Sequence, residues 1–544
     1  MISPEMSHGL DRAATRPPRE RRLVAAIVAV LLGTAIWFRL LRLDSVPGIS
    51  GDEGWWGVQA LAWLAGRPYE ARTTSGNPID LFFLVPVALL HAIGSPSFAL
   101  LRFVPAAANL LALVAAFFFG RRLYGETTAW IHTVTLAVLP TAIAHSRICQ
   151  DPSQSLFWAG LVVYLALLGV TDRGTAWRWF AGALVLFPVA LWTHPTNVFV
   201  APFLVLPIVA ALAPRIPDSR RARIGLALAT AGSLAAGLIV AWLAFASAAR
   251  AYPSLDKPWL SLAAGRLADG GQWLEFAANN VRLFNGITVI HYFSGARPWT
   301  LPYDAGVVLA AVLVLGGFVL AAMRRRSLLD AALIAGCAGM WLLFYAFAGP
   351  QALRPHAERW GLCLLVPASL VLARGIGAWI EHVPRLRWAA IGTASLAAAA
   401  LLGSFHVNYF RAFATTGGRS HLTYVTAPIE PKQQALSRIL DRGAGSTRIE
   451  IATRQWWLYW PIAYLATAHP TVSVRLDASS DAAAGFETPA RGTARFFVEF
   501  AGTPELAATL RRLEEAGQTV ATAAIADAGG RDHLVIVEVQ AESP

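Results

Sequence analysis

The chain has 544 residues, of which 56% are hydrophobic and 14% charged, with a mean hydropathy of +0.50. A soluble domain carries about 25% charged residues, so disorder, a collagen-like fibre and an ordinary cytosolic enzyme are excluded and a polytopic membrane protein remains. The net charge of +12 is uneven: residues 407–544 hold 13 basic and 14 acidic side chains, which leaves +13 on the first 406, where arginines flank apolar runs and read as cytoplasmic loops, not a nucleic-acid surface.

In chain order, residues 1–22 read as a basic cytoplasmic tail. The apolar run 23–38 lacks a small-residue cleavage site behind it, so it reads as a first transmembrane helix and not a signal peptide. A polar outer stretch follows (44–80), then a short apolar segment (81–94) that suits a juxtamembrane or re-entrant helix better than a span. Positive-inside reasoning then orders ten further spans at 103–120, 127–145, 154–170, 179–193, 197–213, 224–246, 304–322, 327–347, 360–373 and 388–406. This predicts 11 spans, outer loops at 44–97 and 247–303, a cytoplasmic amino end and an outer carboxyl end. Arg374, Arg385 and Arg387 read as a cytoplasmic loop.

Residues 407–544 change character. Strands are predicted at 448–452, 472–476, 494–500, 520–525 and 533–539, with helices at 434–440 and 505–516. The fold class expected is therefore a polytopic α-helical membrane domain (23–406) with a small outer α/β domain (407–544). Cys149, Cys337 and Cys363 are scattered and suggest neither a disulfide framework nor a zinc site.

Four polar motifs stand out against this apolar chain. Ser50-Gly51-Asp52-Glu53-Gly54-Trp55-Trp56 puts a carboxylate pair in the first outer loop; the plain alternative is a solvated acid beside interfacial tryptophans. Ser146-Arg147-Ile148-Cys149-Gln150-Asp151-Pro152 lies where the third span meets the outer face. Arg147 and Asp151, four apart, would share a helix face, and the plain reading is a surface ion pair. Topology brings Asp52 and Asp151 to the same side of the membrane, and acids converging at a membrane cavity are functional candidates. In Trp192-Thr193-His194-Pro195-Thr196-Asn197, Pro195 breaks a helix and frees backbone groups, and His194 is either structural or a cavity residue. Arg354-Pro355-His356-Ala357-Glu358-Arg359 is an ordinary polar loop or a phosphate grip. In the loop 247–303, aromatics and sparse charges suit sugar stacking and headgroup contact equally.

Taken together, these features resemble the GT-C membrane glycosyltransferases. The resemblance is to the family-39-like group of protein O-mannosyltransferases, aminoarabinose transferases and Rgt-type lipopolysaccharide sugar transferases. It runs over about residues 23–375 and rests on an ordered set of motifs. These are Gly51-Asp52-Glu53 after the first span, Asn77-Pro78 opening the short apolar helix, Leu101-Arg102-Phe103-Val104-Pro105 leading to Arg121-Arg122-Leu123-Tyr124-Gly125, and Pro140 through Ser146-Arg147 to Asp151. The resemblance implies an inverting enzyme of the bacterial inner membrane. It would move a sugar from a polyprenyl-phosphate carrier to a glycan, lipid or protein hydroxyl on the periplasmic face, as in cell-envelope lipopolysaccharide assembly. Asp52 would be the general base, with Glu53 and Asp151 orienting acceptor or sugar. Substrate-binding roles would fall on Asn77, Arg147, His194, Arg354, His356 and Arg359. Aminoarabinose transferases carry a lysine where this chain has Asn77. A divalent metal would suit Asp52, Glu53 and Asp151, though their spacing does not demand one and the sequence requires no cofactor. Membrane lipid is an expected partner and nucleic acid is not. The rival readings are a flippase of lipid-linked sugars and an inactive assembly subunit on the same fold.

Overall fold

The computed structural model describes residues 18–73, 76–171, 175–205, 259–296, 327–477, 486 and 489–540. The predicted spans 224–246 and 304–322, the end of 197–213 and the flanks of the loop 247–303 lie outside them. Among the described residues, seven helices are long and apolar enough to cross a bilayer: Arg19–Leu40, Phe98–Tyr124, Asp151–Thr171, Ala176–Thr193, Leu328–Phe347, Glu358–Glu381 and Arg387–Thr416. The short apolar helix Leu81–Ile93 lies where 81–94 was predicted, capped by Asp80.

Several sequence readings need correction. The span expected at 127–145 is two helices, Glu126–Val138 and Pro140–His145, because Pro140 cannot supply the N–H that continues the first. Gly286 packs tightly on the Pro140 ring and has no room for a side chain. Arg374 is not in a loop. The helix expected at 360–373 runs Leu362–His382, and within it Arg374 is buried and pairs with Asp330 at 3.0 and 3.2 Å. The last span does not stop at 406. It passes through a π-helical turn, His406–Arg411, and ends at Thr416 before Gly417 in the left-handed conformation. Part of the presumed loop 247–303 is helical: Trp259–Ala268, Gly270–Asn285 and Ile287–Ser294, punctuated by the Asp269 cap and by Gly286 and Gly295 at positive φ.

The carboxy-terminal domain is a five-stranded sheet formed by β1 (Arg448–Thr453), β2 (Val472–Leu476), β3 (Thr493–Phe500), β4 (Val520–Ala526) and β5 (Asp532–Val539), in the order β2-β1-β3-β5-β4. β1 pairs parallel with β2 (Ile451 opposite Val474) and with β3 (Ile451 opposite Phe496), while β5 is antiparallel to β3 and β4. One face packs Ile449, Ile451, Phe496 and Val498 against helices Pro431–Arg442 and Trp456–Ala466. The other packs Phe497 and Val537 against helix Pro504–Glu515. The sequence reading missed Trp456–Ala466. This segment is apolar all round, so it lacks the polar stripe that marks a surface helix. It also joins a further core with Ile49, Trp55, Trp56, Phe83 and Cys149 through Tyr464, which ties the sheet domain to the segment after the first long helix.

Candidate active site

The site is built around the start of helix Gly51–Leu64. Ser50 caps it, and Glu53 completes a capping box: Glu53 N–H donates to Ser50 Oγ (3.4 Å) and Ser50 N–H to Glu53 Oε2 (3.0 Å). This turn buries Glu53 and leaves Asp52 half-exposed. Glu53 then receives Arg102 through two bonds, Nε to Oε1 (2.6 Å) and Nη2 to Oε2 (2.8 Å), and the Cys149 N–H at 3.1 Å. Arg102 also donates to the carbonyls of Leu43, Pro47 and Gly48. Both carboxylate oxygens of Glu53 are thus occupied, and the residue expected to orient substrate instead locks the Asp52 turn to the segment that carries Asp151.

That lock brings the Asp52 and Asp151 motifs together. Gln150 Nε2 donates to Asp52 Oδ2 (3.2 Å), and Trp56 Nε1 donates to Asp151 Oδ1 (3.0 Å). Trp56 is one helical turn beyond Asp52, so one helix end serves both acids. Asp52 and Asp151 lie close enough for their charges to act on each other, and Arg359 offsets both. The field of Arg359 also reaches His194 and the hydroxyls of Tyr292 and Tyr424, which lie 3.2 Å apart.

Sequence reading overlooked one acid here. Asp80 caps helix Leu81–Ile93 with Oδ1, accepting from Phe82 N–H at 2.8 Å, while its buried Oδ2 has no partner. Burial first, and the neighbouring Asp151 charge second, push its carboxyl well above the usual range. Its position directly before an apolar run is a helix-cap signal that could have flagged it.

The remaining predicted residues separate. His194 ends helix Ala176–Thr193, and its Nδ1 lies 2.7 Å from Thr196 Oγ1. Burial lowers it to about 3, so it is neutral at pH 7. Asn197 Nδ2 donates at 2.7 Å to the Ala190 carbonyl, which also receives the His194 N–H at 3.2 Å. Arg147 is fully buried and donates to the carbonyls of Phe38, Leu41, Arg42 and Val46, which pins the end of the first span. It shares no helix face with Asp151, because the helix ends at Ser146 and Asp151 opens a separate 3₁₀ turn. Arg354 is exposed and paired with Glu275 at 2.6 Å. His356 is exposed at φ 70°, its ring 5.9 Å from that of Tyr292. Asn77 is half-buried in the turn before Asp80, where its carbonyl accepts from Thr73 N–H. With Glu53 taken by Arg102, no group of three His, Cys, Asp or Glu among the described residues is placed to hold a metal ion.

Residues 81–245 match the family described as dolichyl-phosphate-mannose-protein mannosyltransferase. No curated protein sequence matches the chain. Among solved structures, ArnT from Cupriavidus metallidurans bound to undecaprenyl phosphate superposes with a TM-score of 0.57 at 13% identity, covering 95% of this chain and 99% of that one. Its apo state gives 0.55, covering 94% and 98% at 13% identity. The oligosaccharyltransferase of Archaeoglobus fulgidus in complex with zinc and sulfate gives 0.50 at 14% identity, covering 81% of this chain and 61% of that one.

The chain has the GT-C fold. Within the GT-C fold of this chain, the Asp52 turn, the Asp151 turn, Asp80 and Arg359 form one polar cluster at the ends of apolar helices. Of the four polar motifs in the sequence, all reach this cluster or its rim, and Asp52, Asp151, His194 and Arg359 enter its electrostatics, with Glu358 acting on Arg359.

Proposed function

We propose that the chain is an inverting glycosyltransferase of the inner membrane that moves a sugar from a polyprenyl-phosphate carrier to an acceptor hydroxyl on the outer face. The observation that carries this reading is the pairing of Asp52 and Asp151 beside a half-buried arginine, in a chain of GT-C fold. The acceptor oxygen attacks the anomeric carbon, its proton passes to Asp52, and the bond from that carbon to the carrier phosphate oxygen breaks, with inversion. Asp151, held by Trp56, orients the acceptor or the sugar hydroxyls. The departing phosphate is already ionised, so it needs charge stabilisation, and Arg359 is the cation placed to give it. Neutral His194 contributes hydrogen bonding and no charge. ArnT was crystallised with undecaprenyl phosphate, which supports a carrier of that chemistry.

The test is a product assay in purified membranes that offers a panel of undecaprenyl-phosphate sugars and follows release of the free carrier phosphate. Release that depends on Asp52 supports the reading. Carrier movement across the bilayer without release for any donor would replace it with a flippase.

Two cations of the same predicted motif provide a further check. Arg359→Gln is expected to raise the KM for the carrier by about tenfold or more, since a charge-assisted hydrogen bond is lost. Arg354→Gln removes only an exposed pair with Glu275 and should leave KM unchanged. Equal effects from the two variants would count against Arg359 as the phosphate contact.

A further inference from the structure

The outer domain reaches into the acid cluster through one helix. Gly51, Gly54 and Gly57 recur every three residues along the face of helix Gly51–Leu64 that meets Trp456–Ala466. A Cβ at Gly51 would overlap the ring of Trp456, one at Gly54 the backbone of Trp460 and Pro461, and one at Gly57 the ring of Tyr464. The three glycines therefore let the two helices touch, backbone to ring at Gly51 and Gly57 and backbone to backbone at Gly54. Tyr464 then ties the contact down: its hydroxyl lies 2.5 Å from His91 Nε2 and donates to the Ser97 carbonyl at 3.0 Å, reaching helices Leu81–Ile93 and Phe98–Tyr124.

The loop before Asp52 is held by the same half of the chain. Gly48 N–H donates to the Tyr424 carbonyl (2.8 Å), Thr423 Oγ1 to the Ile49 carbonyl (2.9 Å) and Thr426 Oγ1 to the Ser45 carbonyl (2.6 Å). Ile49 N–H donates to Glu430, which is itself fully buried against Lys432 at 2.7 Å. Gly48 packs on the backbone of Tyr424 and Val425 so closely that no side chain fits there. Asp52 thus sits between a loop and a helix that are both clamped from beyond residue 420.

We propose that helix Trp456–Ala466 is a positioning element for Asp52, with Tyr464 its anchoring residue, so that the outer domain is a working part of the active site. The proposal rests on Asp52 being the base. A base must stand within hydrogen-bond reach of the acceptor hydroxyl, and a displacement of about 1 Å can cost 10²-fold in rate. The domain's contribution therefore falls on turnover and not on carrier affinity, because Arg359 and His194 lie on other elements.

The experiment compares Gly54→Ala with wild type, and with Gly392→Ala, whose Cβ meets open space. Alanine is the better helix former, so the change does not weaken its own helix; it only forces the partner helix away. Gly54→Ala is expected to lower kcat roughly tenfold or more with the KM for the carrier nearly unchanged. Amide hydrogen exchange read on the same proteins should speed up by roughly tenfold over residues 51–57 while β1 stays protected. Gly392→Ala should match wild type in both readouts. Tyr464→Phe keeps the ring and loses only the hydroxyl bonds, and it decides by the same readouts if Gly54→Ala does not fold. Wild-type kcat in the variant, or unchanged exchange over 51–57, would overturn the proposal. If wild type releases no carrier phosphate with any donor, the proposed function fails, and the exchange comparison still decides whether the outer domain sets the helix.

Discussion

Replacing Asp52 by Asn is expected to lower kcat by about 10²–10⁴-fold, the usual contribution of a general base, with little change in the KM for the carrier. Asparagine is nearly isosteric and can still receive Gln150 Nε2 through its amide oxygen, so the turn at Ser50–Glu53 should persist. What is lost is the ability to take the acceptor proton as the new bond forms. Asp151→Asn should behave differently. Its carboxylate is engaged by Trp56, and removing its charge relieves its repulsion of Asp52. That variant should lose acceptor orientation while keeping a base, so a rise in acceptor KM accompanies a smaller fall in kcat. If the two acids act as one unit, the double variant will be no worse than Asp52→Asn alone, as is usual for residues that share a step. An Asp52→Asn enzyme that keeps its turnover would remove the base assignment and leave the acid pair as a binding device.

Much of this arrangement was legible in the sequence because it rests on local signals. The five strands lie within a residue or two of their predicted bounds, since each alternates or runs apolar between turn residues. The joining of Asp52 and Asp151 followed from counting spans and assigning sides. The break at His194-Pro195 followed from proline's missing donor. What failed were inferences about partners distant in sequence. Arg147 looked like an ion-pair partner of Asp151 because the two are four apart, but its partners are carbonyls around residues 38–46. Glu53 looked catalytic because it neighbours Asp52, yet Arg102 takes it, and no short pattern joins positions 53 and 102. Arg374 looked like a loop cation because arginines there usually are, and its burial rests on Asp330 of another helix together with Glu381 of its own. The glycines at 51, 54 and 57 carried a readable packing signal. Their partner was hidden because Trp456–Ala466 has no polar face to announce it as a helix.

The buried pair behind the site provides the largest expected effect on stability. Arg102 and Glu53 are both fully buried. Arg102→Ala would leave Glu53 with only the backbone donors of Ser50 and Cys149, and three loop carbonyls without a donor. Breaking a buried ion pair from one side costs about 3–5 kcal/mol, and unfolding of the purified protein in detergent should show a loss of that order. Glu53→Gln keeps one acceptor oxygen, which can serve Ser50 or Cys149 but not both because they donate to different carboxylate oxygens, and Arg102 then keeps a full charge without its counter-ion. The informative comparison is the double change Glu53→Gln with Arg102→Gln, which removes both charges and keeps hydrogen-bonding groups at both positions. Partial recovery of stability over Arg102→Ala would identify the pair as an electrostatic lock. Recovery of stability without recovery of kcat would show that the lock also sets where Asp52 stands relative to Asp151, since Cys149 on the Asp151 segment depends on the same carboxylate. A double variant as unstable as Arg102→Ala would instead put the cost on the orphaned carbonyls of residues 43–48, and the role of Glu53 would reduce to capping its own helix.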